Sequence, residues 1–285
     1  MPASLALVVV THDSASWLGR LVETWAVAAE RAGVADVPVV IADSGSRDDT
    51  LAVAGRLLPG ARLLGLGNVG FGAAANRGIG EVSAAWVLLC NPDLTFPPEF
   101  GQRVAAAIGG APDGVACLAP RLLNADGTPQ PSVGKFPSLG GVLRDQLRAR
   151  ERRKYVLPQP VVAGPIDWAT GACLLLRREA FWAVGGFDER YFLYVEEVDL
   201  QRRLHAAGRK VWFVPEVTVR HYQPNAVRPL RPEIQRYAAR GMLRYFAKFG
   251  GGLAGYRMLA FLSGRLPAPE AFASRRNILE CSTGP

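Results

Sequence analysis

The chain has 285 residues, 49% of them hydrophobic and 20% charged, with 33 basic against 25 acidic side chains and a formal charge of +8. Such a composition buries a core, so general disorder is excluded, and the length suits one large domain or one with an appendage. No apolar run approaches the roughly 18 residues of a spanning helix, and no basic stretch precedes the first apolar run, so a spanning segment and a cleaved secretory signal are not expected.

The N-terminal half alternates strand and helix signals. Leu5–Val10 is a Val-rich apolar run that reads as a buried strand, and from Ser16 the spacing Leu18, Leu21, Val22, Trp25, Ala28, Ala29 is helical. Val37–Ala42 reads as a second strand, with Ser46 and Asp49 placed to cap a helix through Leu58. Arg62–Leu64 is a third strand, 71–81 a helix, and Trp86–Cys90 a fourth strand ending at Asn91-Pro92-Asp93. Repeated strand–helix units predict a mostly parallel α/β sheet with helices on both faces, whose ligands sit beyond the carboxyl ends of the strands. Thr11–Ser14, Asp43–Ser46 and Asn91–Asp93 all fall on that edge.

Further on, residues 128–140 hold three prolines and two glycines and read as loop. Thr170–Leu176 reads as a buried strand, Gly185–Asp188 as a tight turn, 196–207 as a helix, and Val211–Val214 and Val217–His221 as two strands. Pro224, Pro229 and Pro232 mark a boundary before a helical tail. Cys90, Cys117, Cys173 and Cys281 stand far apart without a C-x-x-C pair, as expected of reduced, mostly buried thiols in a cytoplasmic protein.

Several groups carry chemistry. Gly70-Phe71-Gly72-Ala73-Ala74-Ala75 satisfies a dinucleotide fingerprint, but two strand–helix units precede it, and close helix packing explains its small residues better. Asp43 and Asp93 end different parallel strands and face one pocket; Asp93 suits Mg²⁺ or Mn²⁺ and Asp43 a base or sugar. Glu196, Glu197 and Asp199 crowd three acids at a helix start, an arrangement suited to a general base or a metal contact. His221 ends an apolar strand and becomes a metal candidate once Asp93 is one.

Asp43-Ser44-Gly45-Ser46-Arg47-Asp48, Asn68 to Gly78 and Asn91-Pro92-Asp93 resemble the nucleotide-sugar half of family 2 glycosyltransferases. Thr170-Gly171-Ala172, Gly185-Gly186-Phe187-Asp188-Glu189 and Tyr194 to Leu200 resemble the acceptor half, so the likeness runs in order from about Leu5 to His221. It is most similar to bacterial rhamnosyltransferases acting on polyprenyl-diphosphate-linked sugars. The resemblance implies a GT-A fold, a nucleotide-diphosphate-sugar donor (dTDP-L-rhamnose first, a UDP-sugar as alternative) and Mg²⁺ or Mn²⁺. By position, Thr11 and Asp43 line the base and ribose pocket; Gly70, Phe71, Asn76, Arg77 and Asn91 hold the donor; Asp93 and His221 bind the metal. Glu197 takes the place of the catalytic base with Glu196 and Asp199 in support, and Trp168 and Gly171 border the acceptor. The implied reaction is a single displacement with inversion onto a lipid-diphosphate-linked saccharide or related glycan, with a secondary metabolite as the alternative acceptor.

Three positions depart from the family pattern. His12-Asp13 replaces Tyr-Asn, Asn91 replaces the first acid of D-x-D, and Glu197 replaces Asp. A sugar nucleotidyltransferase or an inactive nucleotide-sugar-binding protein is the reading from another class.

The charge is local. Residues 226–285 carry +7 and Arg144–Lys154 carry +4, which leaves −3 elsewhere. The expected layout is a catalytic domain over 1–225, with donor half 1–95 and acceptor half 96–225, and a basic helical region over 226–285. Arg236, Arg240, Arg244 and Lys248 recur every four residues, giving a helix with one basic face. That face predicts an ordinary packed helix, contact with an anionic membrane, or a dimer contact; nucleic acid is not expected, since no binding module or interleaved aromatic series accompanies it.

Overall fold

The computed structural model describes residues 4–34, 36–146, 155–156, 158–222 and 232–280. In chain order the elements are β1 (Leu5–Thr11), α1 (Ala15–Arg31), β2 (Val39–Asp43), α2 (Thr50–Leu57), β3 (Arg62–Gly65), α3 (Phe71–Gly80), β4 (Trp86–Cys90), β5 (Leu94–Thr95) and α4 (Phe100–Gly109). There follow β6 (Val115–Leu123), β7 (Val133–Gly134), α5 (Leu139–Gln146), β8 (Gly164–Ile166), β9 (Trp168–Ala169), β10 (Cys173–Arg177), α6 (Arg178–Ala183), α7 (Glu196–Ala206) and β11 (Lys210–His221). Helices α8 (Pro232–Phe249), α9 (Leu253–Leu262), α10 (Ala268–Ala271) and α11 (Arg275–Glu280) complete the described chain.

The main sheet runs β3-β2-β1-β4-β10-β6-β11-β5, with β8 also paired to β11. β3, β2, β1 and β4 are parallel, whereas β10 is antiparallel to both of its neighbours. Alternation along β1 explains why the sheet is covered twice: Ala6, Val8 and Val10 enter one core cluster, Leu7 and Val9 the other. Burying both faces fixes the register, because a slip of one residue would exchange the two sets.

Three local expectations change. Ser46 does not cap α2: its N–H donates to Asp43 Oδ1 at 2.9 Å, and the helix starts at Thr50 after Asp49. The span read as loop over 128–140 contains β7 and the start of α5, because Val133 and Gly134 pair with β9. The two strands 211–214 and 217–221 are one, β11, interrupted by a register shift between Val214 and Thr218.

The C-terminal helices share a core with residues 168–198. Ala239, Leu243, Tyr245, Phe246 and Tyr256 cluster with Trp168, Tyr191, Val195 and Val198. This corrects the expectation of a basic face on α8. Arg244 is buried, Arg240 pairs with Glu270 at 2.7 Å, and Lys248 reaches Asp188 at 3.1 Å and Asp199 at 2.6 Å. Of the four, Arg236 is exposed. The helix meets protein on both sides: Lys248 neutralises two acids with nearly buried side chains, Arg240 pairs with half-buried Glu270, and Arg244 donates to the Leu279 carbonyl. Most of the basic segment Arg144–Lys154, the boundary at residue 226 and Cys281 lie outside the described residues; Cys90, Cys117 and Cys173 are buried thiols, and burial pushes Cys117 up to about 12. Among the described residues no helix is long and apolar enough to cross a membrane.

Candidate active site

The carboxyl ends of β1, β2 and β4 bring Thr11, Asp43 and Asn91–Asp93 to one edge, because parallel strands joined by crossover helices end on the same side. Asp43 is buried and accepts from Thr11 Oγ1 at 2.8 Å, from the Ser46 N–H at 2.9 Å and from the Ser46 hydroxyl. Ser44 ties this turn to the next loop by accepting the Gly70 N–H at 3.0 Å. His12 Nδ1 lies 2.7 Å from the Ser44 carbonyl, and Asp13 accepts the Arg47 N–H at 2.7 Å, so both departures at 12–13 serve this turn.

Gly70 has φ +86°, and a Cβ there would lie 2.3 Å from the Phe192 carbonyl oxygen. Only glycine fits both the conformation and the approach. The neighbouring Phe71 N–H donates to the same carbonyl at 3.0 Å, so the donor-half loop is docked on residues 191–195.

Asp93 Oδ2 stands 3.4 Å from His221 Nε2, both side chains nearly buried. β5 and β11 bring them together, since Leu94 pairs with His221. Gln130 Oε1 faces His221 Nδ1 at 2.8 Å, so Nδ1 is the donor there and Nε2 is the ring nitrogen turned to Asp93. An anionic oxygen beside an imidazole oriented through its other nitrogen is a donor set that suits a divalent cation. Among the described residues no third His, Cys, Asp or Glu joins the pair, so further ligands would be water and substrate oxygens. Gln130 was not foreseen, because it sits in the proline-rich span read as loop.

Glu196 and Glu197 open α7, each 5% exposed. Glu197 Oε2 is buried and has no hydrogen-bond partner among the described residues. Leaving such an oxygen unpaired costs about 1–3 kcal/mol, which marks it as a candidate reacting group. The Glu197 Cβ lies 3.6 Å from where a Cβ on Gly171 would stand, and Phe71 borders the same glycine. The next residue, Ala172, accepts the Asn91 N–H at 2.9 Å. A two-residue bridge thus connects the Glu197 wall to the turn carrying Asp93. The strand expected over 170–176 begins only at Cys173, and 170–172 instead link β9 to β10 and form this bridge. Gln201, also unforeseen, fixes α7 by accepting the Ala169 N–H and donating to the carbonyls of Ala169 and Glu197.

The residues entering α7 are strained. Tyr194 and Val195 have φ +70° and +75°, a left-handed pair that costs about 1–3 kcal/mol per residue and is rare for a β-branched side chain. α8 holds them: a Cβ on Gly241 would lie 2.8 Å from the Tyr194 carbonyl oxygen and 3.1 Å from a Val195 methyl.

Four predicted site residues are placed differently from expectation. Asn76 is spent on structure, since its amide donates to the Phe187 carbonyl and Glu189 and accepts the Phe187 N–H. Arg77 pairs with Glu189 at 2.9 Å on the surface. Asp199 is fully buried and answered by Arg203, Lys248 and the Tyr191 hydroxyl, which makes it an anchor for α7. Trp168 is 1% exposed, with Nε1 donating to the Lys135 carbonyl, so its ring belongs to the core, while Gly171 beside Glu197 is half-buried.

The Gly-Gly-Phe-Asp turn joins the same network. Burial alone would raise the Asp188 carboxyl, but the Arg190 hydrogen bond and the Lys248 charge outweigh it and hold the group well below the usual carboxylate range. A depressed native pKa stabilises the fold fully above the unfolded value near 4 and is lost as pH falls below it. Asp188→Asn is therefore expected to lower the urea midpoint at pH 7, with the gap to the parent narrowing below about pH 4. Equal gaps across that range would separate Asp188 from the pH response.

Residues 6–185 match the family model described as Glycosyl transferase family 2. The chain belongs to that family. This family 2 glycosyltransferase is 35% identical over 244 residues to N-acetylglucosaminyl-diphospho-decaprenol L-rhamnosyltransferase of Mycobacterium tuberculosis, covering 78% of this chain and 77% of the relative. Its fold matches GalNAc-T7 solved with UDP, GalNAc and Mn²⁺ (TM-score 0.60, 16% identity, 95% of this chain and 51% of that one). It also matches the mannosyltransferase PcManGT from Pyrobaculum calidifontis, solved with GDP-Man and Mn²⁺ (TM-score 0.56, 18% identity, 98% and 74%). The expected GT-A fold is therefore the observed one, and the protein is a glycosyltransferase.

Proposed function

We propose that this glycosyltransferase moves L-rhamnose from dTDP-rhamnose to a hydroxyl of a lipid-diphosphate-linked saccharide, with inversion, in cell-wall or polysaccharide assembly. The relative named for decaprenol-linked rhamnosyl transfer supports the donor and acceptor classes. The observation that carries the chemistry is the unpaired buried oxygen of Glu197, one short bridge from the Asp93–His221 pair.

The Glu197 carboxylate accepts the proton of the acceptor hydroxyl as that oxygen attacks the anomeric carbon. The new C–O bond forms as the bond to the diphosphate oxygen breaks on the opposite face, and the nucleoside diphosphate leaves. One base and one displacement invert the anomeric centre, with no nucleophilic side chain required. Asp93 and His221 would hold Mg²⁺ or Mn²⁺, which supplies positive charge against the leaving diphosphate. Thr11 and Asp43 orient the nucleoside end, the Gly70–Phe71 loop closes over the donor, and Gly171 shapes the acceptor side.

Thermal shift with nucleotide sugars, with and without Mn²⁺, tests the donor. dTDP-rhamnose is expected to raise Tm only with the cation present, and more than UDP-sugars do. A larger shift with UDP-GlcNAc or UDP-galactose would move the donor to that class, and no shift with either would refute the donor reading.

A further inference from the structure

α9 is an exposed helix with an apolar outer face. Tyr256 and Ala260 are buried against the C-terminal cluster, whereas Met258, Phe261 and Leu262 are 49%, 42% and 73% exposed. Their spacing places them with exposed Ala254 on one stripe of about a hundred degrees. Phe272, 47% exposed, extends it, its ring centroid 5.6 Å from that of Phe261. Side chains of this size are normally turned inward on a short packed helix, and a contiguous exposed group marks a contact surface.

Its surroundings are cationic. Residues 232–280 carry eight Arg or Lys and three Glu, and exposed Arg275 and Arg276 follow Phe272 closely in sequence. α5 packs on the other end of α9: a Cβ on Gly255 would lie 2.4 Å from a Leu139 methyl, and one on Gly252 2.7 Å from the Leu139 Cβ. That helix carries Leu143 and Arg144, both exposed.

We infer that the outer face of α9, with Phe272 and the flanking arginines, docks on an anionic lipid surface. An apolar stripe inserting among acyl chains, rimmed by cations meeting headgroup phosphates, is the chemistry of an interfacial helix. Charge favours lipid over a second copy of the chain, because a self-pairing through this face brings two net-positive surfaces together. The inference deepens the lipid-linked acceptor reading and rests on it for its purpose, since docking brings the active site to the membrane where such an acceptor lies. It also relocates the contact: the basic series on α8 is largely spent inside the protein, and α9 presents the surface.

The test is co-sedimentation of the full chain with phosphatidylglycerol vesicles, against phosphatidylcholine vesicles, over a range of NaCl. Binding is expected on the anionic vesicles at low salt and is expected to weaken as salt screens it. Met258→Ser/Leu262→Ser should weaken vesicle binding by roughly tenfold or more, while Val161→Ser/Val162→Ser, on exposed side chains elsewhere, should leave it unchanged. Leu262→Ser alone, at the most exposed position, serves if the double variant loses its thermal transition. Failure of the parent to bind at low salt, or unchanged binding by the α9 variants, would overturn the inference. So would a dimer in sedimentation velocity that the α9 variants dissociate without any vesicle binding. The assay contains no nucleotide sugar, so its failure is separable from a failed thermal shift with the donor.

Discussion

Glu197→Gln is expected to lower kcat by about 10² to 10⁴ while leaving the donor dissociation constant unchanged. Glutamine keeps the length and shape of the side chain in its buried site on α7 but cannot take a proton. The contacts that orient α7 do not involve the Glu197 carboxylate: they run through Gln201 to β9 and through Asp199 to Arg203 and Lys248. A fold-neutral loss of turnover is therefore the expected signature, read by initial rates beside calorimetric donor binding. Glu197→Asp, which restores the residue usual in the family, should retain part of the activity, since the base remains and only its reach shortens. Near-normal turnover of the glutamine variant would place the base elsewhere.

Asp93→Ala is expected to remove the cation-dependent part of donor binding and to lower kcat/KM by roughly 10² or more, because a diphosphate leaving group then lacks its positive partner. His221→Ala should act in the same direction. Gln130→Leu gives a graded control: it leaves both donors in place but frees the imidazole ring, and weaker cation affinity by about 10–100-fold is expected. Titrating Mn²⁺ into each variant in the presence of the nucleotide sugar checks the series. If Asp93→Ala keeps the full cation response, the ion is held by other groups.

The donor half was readable in the sequence because local rules decide it. Trp86–Cys90 is a strand with the predicted bounds, and the turns after β1, β2 and β4 lie on one edge, since buried parallel strands read as apolar runs ended by polar turns. Family likeness singled out Glu197 among the three acids that open α7, a choice no spacing rule makes. The tertiary partners were not readable. Lys248 continues a four-residue repeat of cations, and nothing along α8 announces that Asp188 and Asp199 lie opposite it. Asn76 and Asp199 carry side chains fit for binding, yet long-range contacts with Phe187 and Lys248 commit them to a turn and an ion pair. Gln130 and Gln201 act through hydrogen bonds across 91 and 32 residues, a separation at which sequence pattern is silent. Which face α9 turns outward depends on its packing against α5 and the C-terminal cluster, which no pattern along the helix announces.

The most direct test of the account is product analysis. The protein is incubated with dTDP-L-rhamnose, Mn²⁺ and N-acetylglucosaminyl-diphospho-prenol, and the lipid product is examined by mass spectrometry and NMR, with Glu197→Gln in parallel. The account predicts one added deoxyhexose with an anomeric configuration opposite to that of the donor, and no product from the variant. Retained configuration, or equal product from Glu197→Gln, would contradict it.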